Sequence, residues 1–288
     1  NSIIYSNQRL LYDALYHAAS ATLNELAKDA KYLGANIGYI CILHTWGSAM
    51  NYHPHIHTIV LGGGLDDENK WKETGGKFFL PYGVISKVFR GKYLDELKSL
   101  WNDSKLKFHG TAEKYQNSYR FKELLDKCYE KNWVTYCKET FNGAQSVINY
   151  LGKYTHRIAI SNHRIKSMTD TTVTYVVKDY KNEGCWKEKT ISGEEFIRRF
   201  MMHVPPKRFV RIRHYGLLSC RNKRKKITHC RNLLGCKKYI STLKNLNAVE
   251  MIKVLYHIDV CKCSSCGGNM VSPRKDKYSS SFRAHMRC

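Results

Sequence analysis

Apolar positions change period repeatedly along this chain. Residues 8–33 repeat them at helical spacing, with Gly34 standing where a helix would stop. Residues 37–44 (IGYICILH) read as a strand, and after a ten-residue connection 55–61 (HIHTIVL) reads as a second. That strand is ended by GGGLDDEN, in which Asp66, Asp67 and Glu68 read as turn residues rather than a catalytic cluster. Residues 84–131 look largely helical and lysine-rich, an insertion on the main fold. NWVTYCKE (132–139) looks like a strand. NGAQSVINYLGKY (142–154) reads as a helix, with Asn142 and Gln145 forming a capping box.

RIAIS (157–161) and TVTYVVKDY (172–180) look like strands of a following meander. Ser192 and Glu195 form a second capping box ahead of FIRRFMMHV. Residues 205–238 are dominated by PPKRFVRIRHYG and RNKRKK, and a cysteine-rich tail begins near 259. There is no internal repeat.

Charge narrows the choice of partner. In 288 residues, 48 Lys and Arg oppose 24 Asp and Glu, a formal net charge of +24. Such an excess favours a polyanion, because basic side chains displace its counterions, and nucleic acid is the leading candidate. No apolar run approaches the roughly 20 residues a membrane span needs, and the N-terminus lacks a signal-peptide layout. Eleven cysteines, an odd number, fit reduced thiols and a cytoplasmic location better than a disulfide framework. The chain opens at Asn1 rather than methionine, which points to a fragment.

NYHPHIHTIVL (51–61) places three histidines within five residues. On a strand, His55, His57, Ile59 and Leu61 share one face and Ile56, Thr58 and Val60 the other. Two imidazoles at i and i+2 project in parallel and can grip one cation, although so short a pattern also arises by chance. Pro54 breaks regular strand geometry, which puts His53 in the leading loop. His44 ends the preceding strand and would lie beside them in an antiparallel pair; it is the candidate third ligand, with Gln145 in reserve. Such a site suits a catalytic Mg2+ or Mn2+ ion, manganese being at least as comfortable with nitrogen donors, and zinc fits phosphodiester work less well.

Tyr150 and Tyr154, at i and i+4, share a helix face with Val147 and Leu151. Tyr12/Tyr16 and Tyr115/Tyr119 repeat the spacing, so spacing cannot choose among the pairs.

HTWGSAMNYHPHIHTIVLGGGL (44–65), YLGKYTHRIAISNHR (150–164) and FIRRFMMHVPPKRFVRIRHYGLL (196–218) together resemble the two-tyrosine rolling-circle transposases of the HUH endonuclease superfamily (insertion-sequence ninety-one type). The resemblance runs from about residue 8 to 235. It implies an α+β fold: an HUH-type nuclease domain with a mainly antiparallel sheet packed by helices, a basic helical region and a small C-terminal cysteine-rich metal module. It assigns His55 and His57 to the metal and Tyr150 and Tyr154 to nucleophilic attack on single-stranded DNA at transposon ends and target. Such transposases begin with a further strand and a cysteine-rich zinc module, neither of which precedes Asn1. A replication initiator or relaxase shares the chemistry, but YTHRIAISNHR and RFVRIRHYGLL favour the transposase. The rival from another class is a non-catalytic, zinc-containing nucleic-acid-binding protein.

The expected organisation is a catalytic domain over 1–190, a basic DNA-binding region over 191–258 and a zinc-binding tail over 259–288. Lys207, Arg208, Arg211 and Arg213 alternate with Phe209 and Tyr215, a mixture suited to single strands. Lys153 and Arg157, beside the tyrosines, are further candidates for phosphate. Cys263-Ser264-Ser265-Cys266-Gly267-Gly268 resembles a zinc knuckle, which His285 and Cys288 would complete, with Cys261 an alternative ligand.

Overall fold

The computed structural model describes residues 1–75, 80–138, 144–155, 159–179, 182–236, 243 and 245–270, except for the side chains of Ala144, Lys153 and Tyr154. The chain divides into two compact units, Asn1–Cys230 and Arg231–Cys288.

The first unit opens with α1 (Ser2–Ser6) and α2 (Gln8–Lys28), then β1 (Asn36–Trp46), β2 (Tyr52–Leu65) and β3 (Trp71–Glu73). Two helices follow, α3 (Tyr82–Asn102) and α4 (Ser118–Glu130), and then α5 (Ala144–Thr155). A meander of β4 (Ile165–Met168), β5 (Thr172–Asp179) and β6 (Cys185–Ser192) leads into α6 (Gly193–Met201). β7 (Ile212–Gly216) follows, and α7 (Lys223–Leu233) begins in the first unit and ends in the second. All strand pairs are antiparallel, in a four-stranded sheet ordered β3-β2-β1-β7 and a three-stranded sheet ordered β4-β5-β6. The architecture is the mixed α+β arrangement expected from the sequence.

β1 is central, with β2 and β7 paired to its two edges, and most of its residues are buried. Ile37, Tyr39, Cys41 and Leu43 join Leu11, Tyr12 and Tyr16 of α2 in one core. Removing a fully buried side chain such as Leu11 would cost about 2–5 kcal/mol. The alternate face carries Ile40, Ile42 and His44 towards the site. α2 stops at Lys28, earlier than the periodicity suggests, and Gly34, at φ 63°, ends the turn beyond it. Asp66 Oδ1 accepts the amides of Glu68 and Lys70, so the acidic trio does form a turn.

α3 and α4 put Tyr93, Leu94, Leu97, Phe121 and Leu125 into the same core. Residues 132–138, expected as strand, form none. Trp133 is held by Phe89 and Tyr93, while Val134 and Tyr136 project into solvent, and among the described residues no backbone pairs with this segment in a ladder. Ala159–Ser161, the described part of the second expected strand, is also irregular, with Ala159 at φ 55°. Asn142 lies outside the described residues. The Ser192 hydroxyl caps α6 through the Glu195 amide, but the Glu195 carboxylate turns to Arg198 and Arg199 rather than closing the box.

β7 joins the main sheet beside β1. Its last residue, Gly216, has φ 57°, and a Cβ there would stand 1.8 Å from the Ile37 carbonyl oxygen, so only glycine fits. Beyond the first unit, α8 (Ala248–Tyr256) is opened by a complete capping box of Asn247 and Glu250. A cysteine-bearing turn follows, pinned by a bridge between Lys262 and Asn269. Among the described residues, no helix is long and apolar enough to cross a membrane.

Candidate metal and tyrosine site

The register of β1 against β2 sets His44 opposite His55 and Ile42 opposite His57. Cross-strand partners share a face, so three imidazoles gather on the side of the sheet away from α2. Pro54 lies within β2, and the ladder accommodates it by an irregularity between His44 and Trp46. His53 therefore belongs to the strand, contrary to expectation, but stays exposed.

Candidate ligand atoms of His44, His55 and His57 all lie within 4.8 Å of one another. The His44 ring meets His57 edge-on at 4.4 Å and stacks on Trp46 at the same distance. Nδ1 of His55 donates to the His53 carbonyl at 2.7 Å, which leaves its Nε2 as a lone pair. That Nε2 lies 3.1 Å from Nε2 of His57. Two nitrogens held at about 2.0–2.1 Å from one cation in neighbouring positions would be about 3 Å apart, so the pair fits a shared ion. Burial pushes the His57 imidazole down to about 3, with the neighbouring His44 and His55 adding to the effect. Burial also lowers His55, partly countered by the bond to His53. Neutral imidazole is the form that ligates.

α5 brings the tyrosine. Val147 and Leu151 are half-buried on one side, and Gln145 at the exposed side donates its amide to Asn149. Tyr150 is half-buried, and its hydroxyl lies 3.2 Å from Nδ1 of His57. Tyr154 sits one turn further along the same helix. The side chains of Lys153 and Tyr154, and all of Arg157, lie outside the described residues. Of the other two YxxxY pairs, Tyr12 and Tyr16 are core, and Tyr119 is largely exposed.

The basic segment has two fates. Lys207 and Arg208 are exposed. Arg213 is held inside, paired with Asp13 and lying 4.0 Å over the Tyr16 ring. Arg211 donates to the Thr155 carbonyl at the end of α5, and its own carbonyl accepts the Tyr16 hydroxyl. Phe209 packs on Tyr12 and Tyr16.

In the second unit, the Cys263 amide donates to the Gly268 carbonyl at 2.8 Å and the Gly267 amide to the Cys263 carbonyl at 2.9 Å. The amides of Ser265 and Cys266 hold the Cys263 thiol below the usual thiol range. His285 and Cys288 lie outside the described residues.

Two residues near the site were not singled out by sequence. Trp46 stacks on His44, and His203, only 2% exposed, binds the turn between β1 and β2. A histidine in the apolar run FMMHV was the available signal for His203.

Comparison with known proteins identifies the family. A family profile described as "Putative transposase" matches residues 38–226. The "Putative transposase y4qJ" of Sinorhizobium fredii (strain NBRC 101917 / NGR234) is 40% identical over 235 residues, 81% of this chain and 59% of the relative. The "Transposase for insertion sequence element IS801" of Pseudomonas savastanoi pv. phaseolicola is 28% identical over 271 residues, 93% of this chain and 63% of the relative. The chain spans about three fifths of the length of these curated relatives. No solved structure matches it. The matched span holds β2, α5, β7 and most of β1, the elements around the three histidines and Tyr150: the chain belongs to the two-tyrosine transposase family.

Proposed function

We propose that this chain carries the centre of a transposase that cleaves and rejoins single-stranded DNA through a 5′-phosphotyrosine intermediate. The observation that carries the reading is the Tyr150 hydroxyl set against His57, whose other nitrogen faces His55. A phenol is a poor nucleophile at neutral pH, its ordinary pKa being about 10. His44, His55 and His57 would hold a divalent cation, manganese or magnesium, which when bound supplies positive charge to the scissile phosphate.

A cation held there would take the Nε2 lone pair of His57; the ring proton would then reside on Nδ1, which would donate to the Tyr150 oxygen. That bond favours the phenolate. The phenol gives up its proton to solvent, its oxygen forms the new bond to phosphorus, the bond to the 3′ oxygen breaks, and the freed 3′ oxygen takes up a proton from solvent. The phosphoester is retained in the covalent link, so the 3′-hydroxyl can reseal without an external energy source. Tyr154, one turn away, provides a second nucleophile for strand exchange.

Lys207 and Arg208, with Lys153 and Arg157, are assigned to phosphate contacts, which position a strand without reading its bases. We assign the 259–288 segment to a structural zinc held by Cys263, Cys266, His285 and Cys288. The low Cys263 thiol suits a thiolate ligand.

The test is incubation with labelled single-stranded DNA and Mn2+, followed by denaturing electrophoresis. A covalent adduct is expected, and it should vanish when Tyr150→Phe and Tyr154→Phe are combined. An adduct that survives the double substitution refutes the tyrosine assignment.

A further inference from the structure

The five-residue connection between the histidine strands is held with unusual completeness. The Gly47 carbonyl accepts from the Met50 amide and the Asn51 carbonyl from the Gly47 amide, each at 3.1 Å. The Ser48 carbonyl accepts from Arg164. The Ala49 carbonyl accepts from Arg199 at 3.1 Å and from the Tyr175 hydroxyl at 3.4 Å. The Met50 carbonyl accepts from Nε2 of His203 at 3.2 Å. Met50 is fully buried with φ 53°, a left-handed conformation that a methionine keeps only where its surroundings impose it. The three-stranded sheet and α6 thus form a socket for this turn.

His203 differs from the other socket residues in its reach towards the site. A carbonyl can only accept, so Nε2 of His203 carries the ring proton and Nδ1 is a lone pair. That lone pair accepts the Thr45 hydroxyl at 3.1 Å. Thr45 lies between His44 and Trp46. The Trp46 ring stands edge-on to His203 at 6.0 Å and stacks on His44 at 4.4 Å. One buried imidazole therefore grips both ends of the turn and backs the ring against which His44 lies.

We infer that His203 is a positioning residue of the histidine site: by locking Thr45 and Met50, it fixes Trp46 and so holds the His44 imidazole in line with His55 and His57. This rests on the reading of the three histidines as a cation site. Neighbours that orient a ligand typically change metal affinity 10–100-fold when removed.

The test is Mn2+ titration of the full chain, following free Mn2+ by electron paramagnetic resonance at a temperature where circular dichroism shows each variant folded. His203→Phe keeps the ring but loses both hydrogen bonds, and should weaken binding about tenfold. His203→Gln, which retains an amide donor for Met50, should recover part of the loss. Thr45→Val removes a single hydroxyl and should weaken binding by a smaller factor; if His203→Phe does not fold, Thr45→Val alone decides the outcome. Combined with His203→Phe, it should add little, since both act on one bond. Folded variants that bind Mn2+ as tightly as the unaltered chain would overturn the positioning role alone. An unaltered chain that binds no Mn2+ would overturn the cation site, and this inference with it.

Discussion

The Tyr150 hydroxyl and Nδ1 of His57 are 3.2 Å apart, joining a helix that begins at residue 144 to a strand that ends at residue 65. The relationship makes His57 two-sided: one nitrogen turns to the phenol, the other to His55. His57→Ala should therefore abolish both Mn2+ binding and adduct formation, whereas Tyr150→Phe should spare Mn2+ binding. Parallel metal titration and adduct assays separate the two effects. Equal loss of binding in Tyr150→Phe would contradict the division of roles.

The second tyrosine gives a distinct expectation. Tyr154→Phe should leave a single cleavage adduct through Tyr150 and reduce strand exchange, because one nucleophile cannot hold one strand while attacking another. Counting adducts on two differently labelled strands checks this.

Tyr16 tests the link between the core and β7. Its hydroxyl accepts the Leu43 amide at 3.1 Å and donates to the Arg211 carbonyl. Leu43 has the Arg211 carbonyl as a second partner, so Tyr16→Phe leaves no orphaned amide. The cost should be about 0.5–1.5 kcal/mol, read by urea unfolding. A neutral substitution would mean the contact contributes nothing to stability.

Acid should loosen the socket by a defined route. Hydrogen bonds from Arg198 and Arg199 hold the Glu195 carboxyl down at about 2, below its ordinary 4.5. A depressed carboxyl stabilises the fold above the unfolded value, and that contribution fades as pH falls from about 4.5 towards 2. Glu195→Gln should accordingly melt below the unaltered chain at pH 7, with the two curves converging near pH 2. Curves separated by the same interval throughout would exclude this coupling.

The zinc assignment is checked by elemental analysis. One zinc per chain is expected, lost in Cys263→Ser with Cys266→Ser while α2 and the main sheet remain folded. A chain that is zinc-free before substitution would end that assignment.

What the sequence revealed follows the range of each signal. Alternation along β2 needs only neighbours, so the shared face of His55 and His57 was readable from seven residues. His44 followed from pairing across a short connection. Helical spacing likewise disclosed α5. Signals failed where the deciding partner is distant: residues 132–138 alternate like a strand but find no ladder among the described residues. The fate of Arg213 depends on Asp13 and Tyr16, at the other end of the chain. The loops around Ala159 and Met50 take left-handed backbone conformations that no glycine advertises.

The place of β7 has a consequence for biosynthesis. β2 is translated directly after β1, whereas the strand that covers the other edge of β1, Ile212–Gly216, emerges far later in the chain. Through that interval a long apolar strand offers unsatisfied amides and carbonyls to any passing chain. Nascent polypeptides halted before residue 212 should be prone to self-association on the ribosome, since the backbone of β7 is what covers that edge.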